Sequence, residues 1–159
     1  MGCYDGNIYC FHLKTGDIIW NHQTGNVVKS SAILCKIKGI IFVGSYDCYI
    51  YCLSVKDGSE IWKSKFGDGS VSASGCLHVS SDTVLFGTLD GLCLALQQSS
   101  GKLIWKHKLS DPIFVAPLSL NNGLVLFCSV TGLLCCFDVE VNVKVTCIKE
   151  LDIHILIIS

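Results

Sequence analysis

The sequence predicts an all-β fold, a partial β-propeller of about four four-stranded antiparallel blades, and three observations predict it. The same landmark residues return on a period of about 42. Each period divides into four short apolar runs separated by turn residues. No segment sustains apolar residues at i, i+3, i+4 and i+7, the pattern an amphipathic helix requires. Four short strands in about 42 residues is the size of one propeller blade.

The period is read from independent landmarks. Gly2-Cys3-Tyr4-Asp5, Gly44-Ser45-Tyr46-Asp47 and Gly87-Thr88-Leu89-Asp90 stand 42 and 43 residues apart. Gly16, Gly58 and Gly101 keep these offsets, and so do Trp20, Trp62 and Trp105. Another copy opens at Cys128, 41 residues after Gly87. Blades are therefore placed at about 2–43, 44–86 and 87–127, with the start of a fourth at 128, within a repeat region 1–138. Beyond Asp138 the pattern decays. Thr146 stands where the next tryptophan is due, and 139–159 read as a divergent C-terminal tail.

The second copy shows the plan of one unit. Residues 39–43 form an apolar strand ending at the Gly44 to Asp47 turn. Residues 48–55 alternate as a second strand, and Lys56-Asp57-Gly58-Ser59 turns the chain, with glycine supplying a positive φ at no steric cost. Residues 60–66 are a third strand, Gly67-Asp68-Gly69 a turn, and 71–79 a fourth strand. The third copy repeats this through 92–97, 103–109, 113–120 and 124–128.

Packing follows from that plan. A lone four-stranded sheet with two apolar faces cannot bury itself, whereas stacked copies supply each other's missing partner. Ser30-Ser31-Ala32, Ser72-Ala73-Ser74 and Val115-Ala116-Pro117 fit an innermost strand crowded near an axis. Trp20, Trp62 and Trp105 fit positions that wedge between adjacent blades.

Composition narrows the function classes. Half of the 159 residues are hydrophobic, 16% are charged and the net charge is -1. That leaves no basic footprint for nucleic acid or an anionic membrane. No uninterrupted apolar run approaches the roughly 20 residues that span a bilayer. The N-terminus has neither a basic nor an apolar leader region, so a cytoplasmic location is expected. Eleven cysteines are an odd number and match no zinc spacing. They are expected as reduced thiols acting as small hydrophobes.

The run Gly-x-x-Asp-Gly, a strand, and then Gly-x-x-Ile-Trp resembles the PQQ-like (quinoprotein-type) repeat family of propellers. It is carried by Lys14-Thr15-Gly16-Asp17-Ile18-Ile19-Trp20, Lys56-Asp57-Gly58-Ser59-Glu60-Ile61-Trp62 and Ser99-Ser100-Gly101-Lys102-Leu103-Ile104-Trp105. The resemblance implies that these glycine turns and tryptophans lock neighbouring blades. More finely, residues 44–52 and 103–107 are similar to the C-terminal propeller of the β-alanine-activating, acyl-CoA synthetase-type enzymes. Such enzymes place an adenylation domain and a phosphopantetheine carrier domain before the propeller. The pattern departs where PQQ-type repeats often carry Asp before the glycine turn: His12, Ser54 and Gln97 stand there, and only Asp138 conforms. No adenylation domain or carrier serine lies in these residues, so acyl-activating chemistry maps onto none of them. Both ends read as cut, and a portion of a longer protein is expected.

Candidate chemistry is weighed against plain architecture. Cys135-Cys136 suggests the vicinal disulfide of quinoprotein dehydrogenases, but Cys136 falls at the repeat position of Cys10 and Cys52, in an apolar strand. Asp5, Asp47 and Asp90 suggest a carboxylate rim, yet each sits in a turn where Asp bonds its own backbone. His12, His22, His78, His107 and His154 are read as lying in different repeat contexts, and Lys14, Lys56 and Lys102 as solvated turn charges. No catalytic, cofactor-binding or metal residue is expected, and no cofactor. Gly16, Trp20, Gly58, Trp62, Gly101 and Trp105 are expected as structural repeat residues. The expected role is a binding or scaffold platform for a protein partner or for the enzyme's own carrier or adenylation domain. The rivals are a piece of a PQQ-dependent dehydrogenase and a stand-alone interaction propeller.

Overall fold

The computed structural model describes residues 1–78, 81–120, 122–139 and 143–148. Fourteen strands are formed among them and no helix. In chain order they are β1 (Asn7–Phe11), β2 (Ile18–Gln23), β3 (Ile33–Cys35), β4 (Ile40–Gly44), β5 (Tyr49–Ser54), β6 (Glu60–Lys65) and β7 (Cys76–Leu77). There follow β8 (Thr83–Gly87), β9 (Leu92–Gln97), β10 (Leu103–Lys108), β11 (Leu118–Ser119), β12 (Leu124–Cys128), β13 (Leu134–Asp138) and β14 (Val143–Ile148).

Each strand pairs with its sequence neighbour, so the sheets are antiparallel meanders: β3 to β6, β7 to β10, and β11 to β14. The first sheet contains β1 and β2, extended by a bridge from Gly2 to Ile8. The strands β3, β7 and β11 are the innermost of their blades and approach one another. They are shorter than the sequence suggests: of 71–79 only Cys76–Leu77 is strand among the described residues, and of 113–120 only Leu118–Ser119. The Ile113 amide bonds the Thr88 carbonyl of the adjacent blade instead.

The sequence unit and the blade are out of phase. The unit 44–86 supplies β5 and β6 to one sheet and β7 and β8 to the next. Every unit is thereby shared between two blades. At the other end, β14 lies within the residues that diverge from the repeat, pairing with β13 as the outermost strand of the fourth blade. The stretch 151–159 lies outside the described residues.

The core sits between the sheets. Phe42, Ile50, Cys52 and Trp62 of the second blade pack against Val84, Phe86, Leu94 and Leu96 of the third. Leu85, Cys93, Ala95 and Trp105 pack in turn against Val125, Phe127, Cys135 and Phe137 of the fourth. Alternation along each strand sends successive residues to opposite neighbours, so a central strand such as β8 is buried throughout.

Candidate functional site: the joints between blades

The repeated residues converge on the blade joints. Trp20 Nε1 donates to the carbonyl of Val55 at 2.9 Å, and Trp62 Nε1 to that of Gln98 at 2.9 Å. Trp105 Nε1 donates to the carbonyl of Val139 at 3.3 Å. Every acceptor lies just beyond the third strand of the following blade. At the first two of these joints the indole also covers the following blade's glycine turn: a Cβ on Gly58 would stand 2.5 Å from the Trp20 ring, and one on Gly101 2.6 Å from the Trp62 ring. Both glycines have a positive φ, +71° and +67°, so two independent constraints select glycine. A third contact completes the joint. His22 Nδ1 lies 3.2 Å from the Gly58 carbonyl, and Ser64 Oγ donates to the Gly101 carbonyl at 3.0 Å.

The backbone aims each tryptophan. The pairing register shifts beside Trp20, Trp62 and Trp105, at Cys10/Phe11, at Cys52/Leu53 and at Leu103/Trp105. Such bulges bend a strand and redirect its side chains. Opposite the tryptophans stand Cys10, Cys52 and Ala95, small residues that leave room for an indole. In the fourth blade the same place pairs Cys136 with Thr146.

The aspartate turn at Asp47 adds a second latch. Asp47 accepts the Tyr49 amide at 3.0 Å, the Tyr51 hydroxyl at 2.6 Å and the Gly25 amide of the preceding blade connection at 2.7 Å. Asp5 accepts the Asn7 amide and the Tyr9 hydroxyl. Asp90 differs, accepting the Thr88 hydroxyl and pairing with Lys108 at 3.0 Å. Burial raises the Asp90 carboxyl, but Thr88 and Lys108 outweigh it and hold the group below the ordinary value. Burial, followed by the Asp47 carboxylate, pushes the Tyr51 hydroxyl well up.

The histidine reading needs correction. His22 and His107 occupy one repeat position, pairing with Ile8 and Cys93 respectively, but they stand two blades apart. His107 stacks on Phe137 at 4.7 Å, and His78 reaches Ser119 Oγ at 2.7 Å. His154 lies outside the described residues. Among those residues no group of three His, Cys, Asp or Glu side chains is placed to hold a metal.

The cysteine expectation is also corrected in part. Cys135 is disulfide-bonded. Cys136 is free, so the bond is not the vicinal one. Cys52 is buried, which pushes its thiol up to about 12.

A groove of about 560 Å³ opens between the second and third blades. Its polar groups are engaged with each other: Lys38 with Asp82, Asp82 with Ser99, and Gln98 with Thr83 and Cys35. That arrangement braces two hairpin turns.

Four-stranded meanders stacked face to face, with one tryptophan latch per joint, define a β-propeller. The family described as "Beta-alanine-activating enzyme, beta-propeller" matches residues 1–155, and the chain belongs to it. The β-alanine-activating enzyme of Drosophila melanogaster is 30% identical over 131 residues. That match covers 81% of this chain and 13% of the fly enzyme's length. Two solved structures share the fold: BamB from Moraxella catarrhalis, with a TM-score of 0.77 at 19% identity, and the computationally designed Ika8 protein, with 0.80 at 14%. The first match covers 92% of this chain and 47% of BamB, the second 94% of this chain and 45% of the designed protein.

Proposed function

We propose that this chain is a non-catalytic propeller segment of an acyl-activating, adenylate-forming enzyme of amino-acid or fatty-acid metabolism. It serves there as a rigid binding and scaffold platform, in the cytoplasm, docking a protein partner or that enzyme's own carrier or adenylation domain. One observation carries the reading: the residues that recur with the period are taken up by turns and joints. Asp47 ties its own turn to the preceding connection, and the tryptophans and glycines seal the blades. Repetition here therefore serves architecture, and function falls to the loops that vary from unit to unit. Low net charge and the sparse charged residues favour a protein partner over nucleic acid or a membrane.

The test is a titration of isotope-labelled chain with the phosphopantetheine carrier domain of a β-alanine-activating enzyme. Localised amide shift changes on one loop face are expected, together with no ATP–pyrophosphate exchange by the chain alone. Dye reduction on adding PQQ and calcium would overturn the reading in favour of a dehydrogenase. Saturating carrier domain without any shift change would remove the carrier as partner.

A further inference from the structure

One end of the arc combines exposed lysines with exposed apolar side chains. In an antiparallel meander alternate turns fall at opposite ends. Lys14, Lys36, Lys38, Lys56 and Lys102 lie in the β1–β2, β3–β4, β5–β6 and β9–β10 turns, all at one end, together with Asp17, Asp57 and Asp82. The turns and connections of the other end hold Asp5, Asp47, Asp68, Asp90 and Asp111 against Lys29 alone. The near-neutral chain is therefore polarised, and its first end is positive. Lys36, Lys56 and Lys102 form no ion pair among the described residues.

Ile37 stands at the tip of the β3–β4 turn, which the Gly39 amide closes on the Lys36 carbonyl at 3.3 Å. Its side chain is 100% exposed, at a place where turns favour polar residues and where the other two units carry Ser80 and Asn121. An isoleucine buried against nothing contributes nothing to folding. Beside it lies the groove of about 560 Å³, with Cys35 and Leu77 in its lining. A second hollow of about 400 Å³ meets that groove at Asp82 and is lined by Leu103 and Ile104, which are 38% and 46% exposed. The two form one trough. Asp82 is neutralised by Lys38, which leaves Lys36 and Lys102 as the charges that an incoming chain meets.

We propose that this trough docks an acidic, extended segment of a partner protein. The segment seats an apolar side chain in each hollow and sets carboxylates on Lys36 and Lys102, and Ile37 is the apolar anchor at one edge. Charge complementarity specifies the occupant, because lysines without carboxylate partners stand beside an open apolar floor. The inference rests on the platform reading and adds to it the face used and the chemistry of the partner.

The probes are a glutamate-rich peptide carrying leucines, a lysine-rich counterpart, and the phosphopantetheine carrier domain, each titrated into the isotope-labelled full chain at low salt. The acidic peptide is expected to shift the amides of 36–39, 81–82 and 102–104, and the lysine-rich one to shift none of them. Ile37→Asp and Lys102→Glu are each expected to weaken the acidic peptide at least about 10-fold. Both side chains are exposed, so the melting midpoint is expected to stay where it was. Lys29→Glu, at the opposite end, is expected to leave the affinity unchanged. Equal affinity for the two peptides, no binding of the acidic one, or binding indifferent to Ile37→Asp and Lys102→Glu would overturn the proposal. Carrier binding at the opposite end, with the acidic peptide silent, would overturn this face and leave the platform reading standing. The acidic peptide bound in the trough, with a silent carrier domain, would sustain the face and remove the carrier as its occupant.

Discussion

Trp62 lies flat over Gly101, its ring so close that a single added carbon on the glycine would stand 2.6 Å from it. The two residues are on different blades, and the indole N–H reaches past the glycine to the Gln98 carbonyl. Gly101→Ala therefore meets both a left-handed backbone and a filled space. A loss of about 3 kcal/mol is expected by urea unfolding. Gly16→Ala shares the backbone conformation without the ring, and a loss of about 1 kcal/mol is expected. Equal losses would show that the indole contributes nothing to the selection of glycine.

Truncating the tryptophans gives a graded series. Trp62 and Trp105 are buried and Trp20 is half-buried at its joint. Trp62→Leu and Trp105→Leu are expected to cost about 3 kcal/mol each, and Trp20→Leu about half that, by the same unfolding measurement. The loss combines a cavity with a carbonyl left without its donor.

Cys48 carries a positive φ of 72°, at the repeat position that Gly6, Gly91 and Gly132 fill with φ between 83° and 86°. Cys48→Gly removes the steric strain of a side chain in the left-handed region. A gain of about 1 kcal/mol is expected, read as a rise of a few degrees in the melting midpoint. A fall would mean that the Cys48 thiol contact with the Asp68 carbonyl outweighs the strain.

Asp90 sets a pH dependence. Its folded-state value lies below the ordinary 3.8, so its stabilising effect is present above that value. It fades as pH falls through 3.8 and on through the lower folded value. Asp90→Asn is expected to lower the urea midpoint at pH 7, and its deficit against the parent chain is expected to shrink at pH 3. A deficit unchanged at pH 3 would place the loss in packing against Gly69 and not in charge.

Cys52 reports on the same core from the alkaline side. With its thiol pushed up to about 12 from 9.0, the folded chain gains stability from the protonated form below pH 9, and loses it as pH rises from there through about 12. At pH 8 its reaction with a disulfide reagent is expected to run at least about 100-fold slower than that of an exposed thiol. Mass spectrometry of partly labelled chain locates the unreacted site.

The period made the fold legible because one fixed spacing recurs at chemically distinct landmarks. Glycine, aspartate and tryptophan each answer a different constraint, so their agreement points to one repeating sheet. The joints were legible only in outline. Trp62 stood out by its size and its spacing, but its acceptor is a backbone carbonyl, and Gln98 shares no side chain with Val55 or Val139. Bulges leave a similarly faint mark, since a register shift beside Cys52 changes no residue type. The inner strands misled for another reason. Val71 sends its amide to the Ser45 carbonyl of the adjacent blade, and only Cys76–Leu77 joins the ladder of its own sheet.

The half-blade offset between unit and sheet has a genetic meaning. Residues 44–86 begin where β4 ends and end where β8 ends, so excising them would join β4 to β9 in the register that β4 now shares with β5. The shortened chain would hold whole sheets throughout, with no strand stranded at the cut. Duplicating the same stretch would add one complete blade by the same logic. A chain built on this overlap changes length by recombination in steps of one blade, much as a zip fastener is lengthened tooth by tooth, and Trp20 would then meet Gly101 as it now meets Gly58.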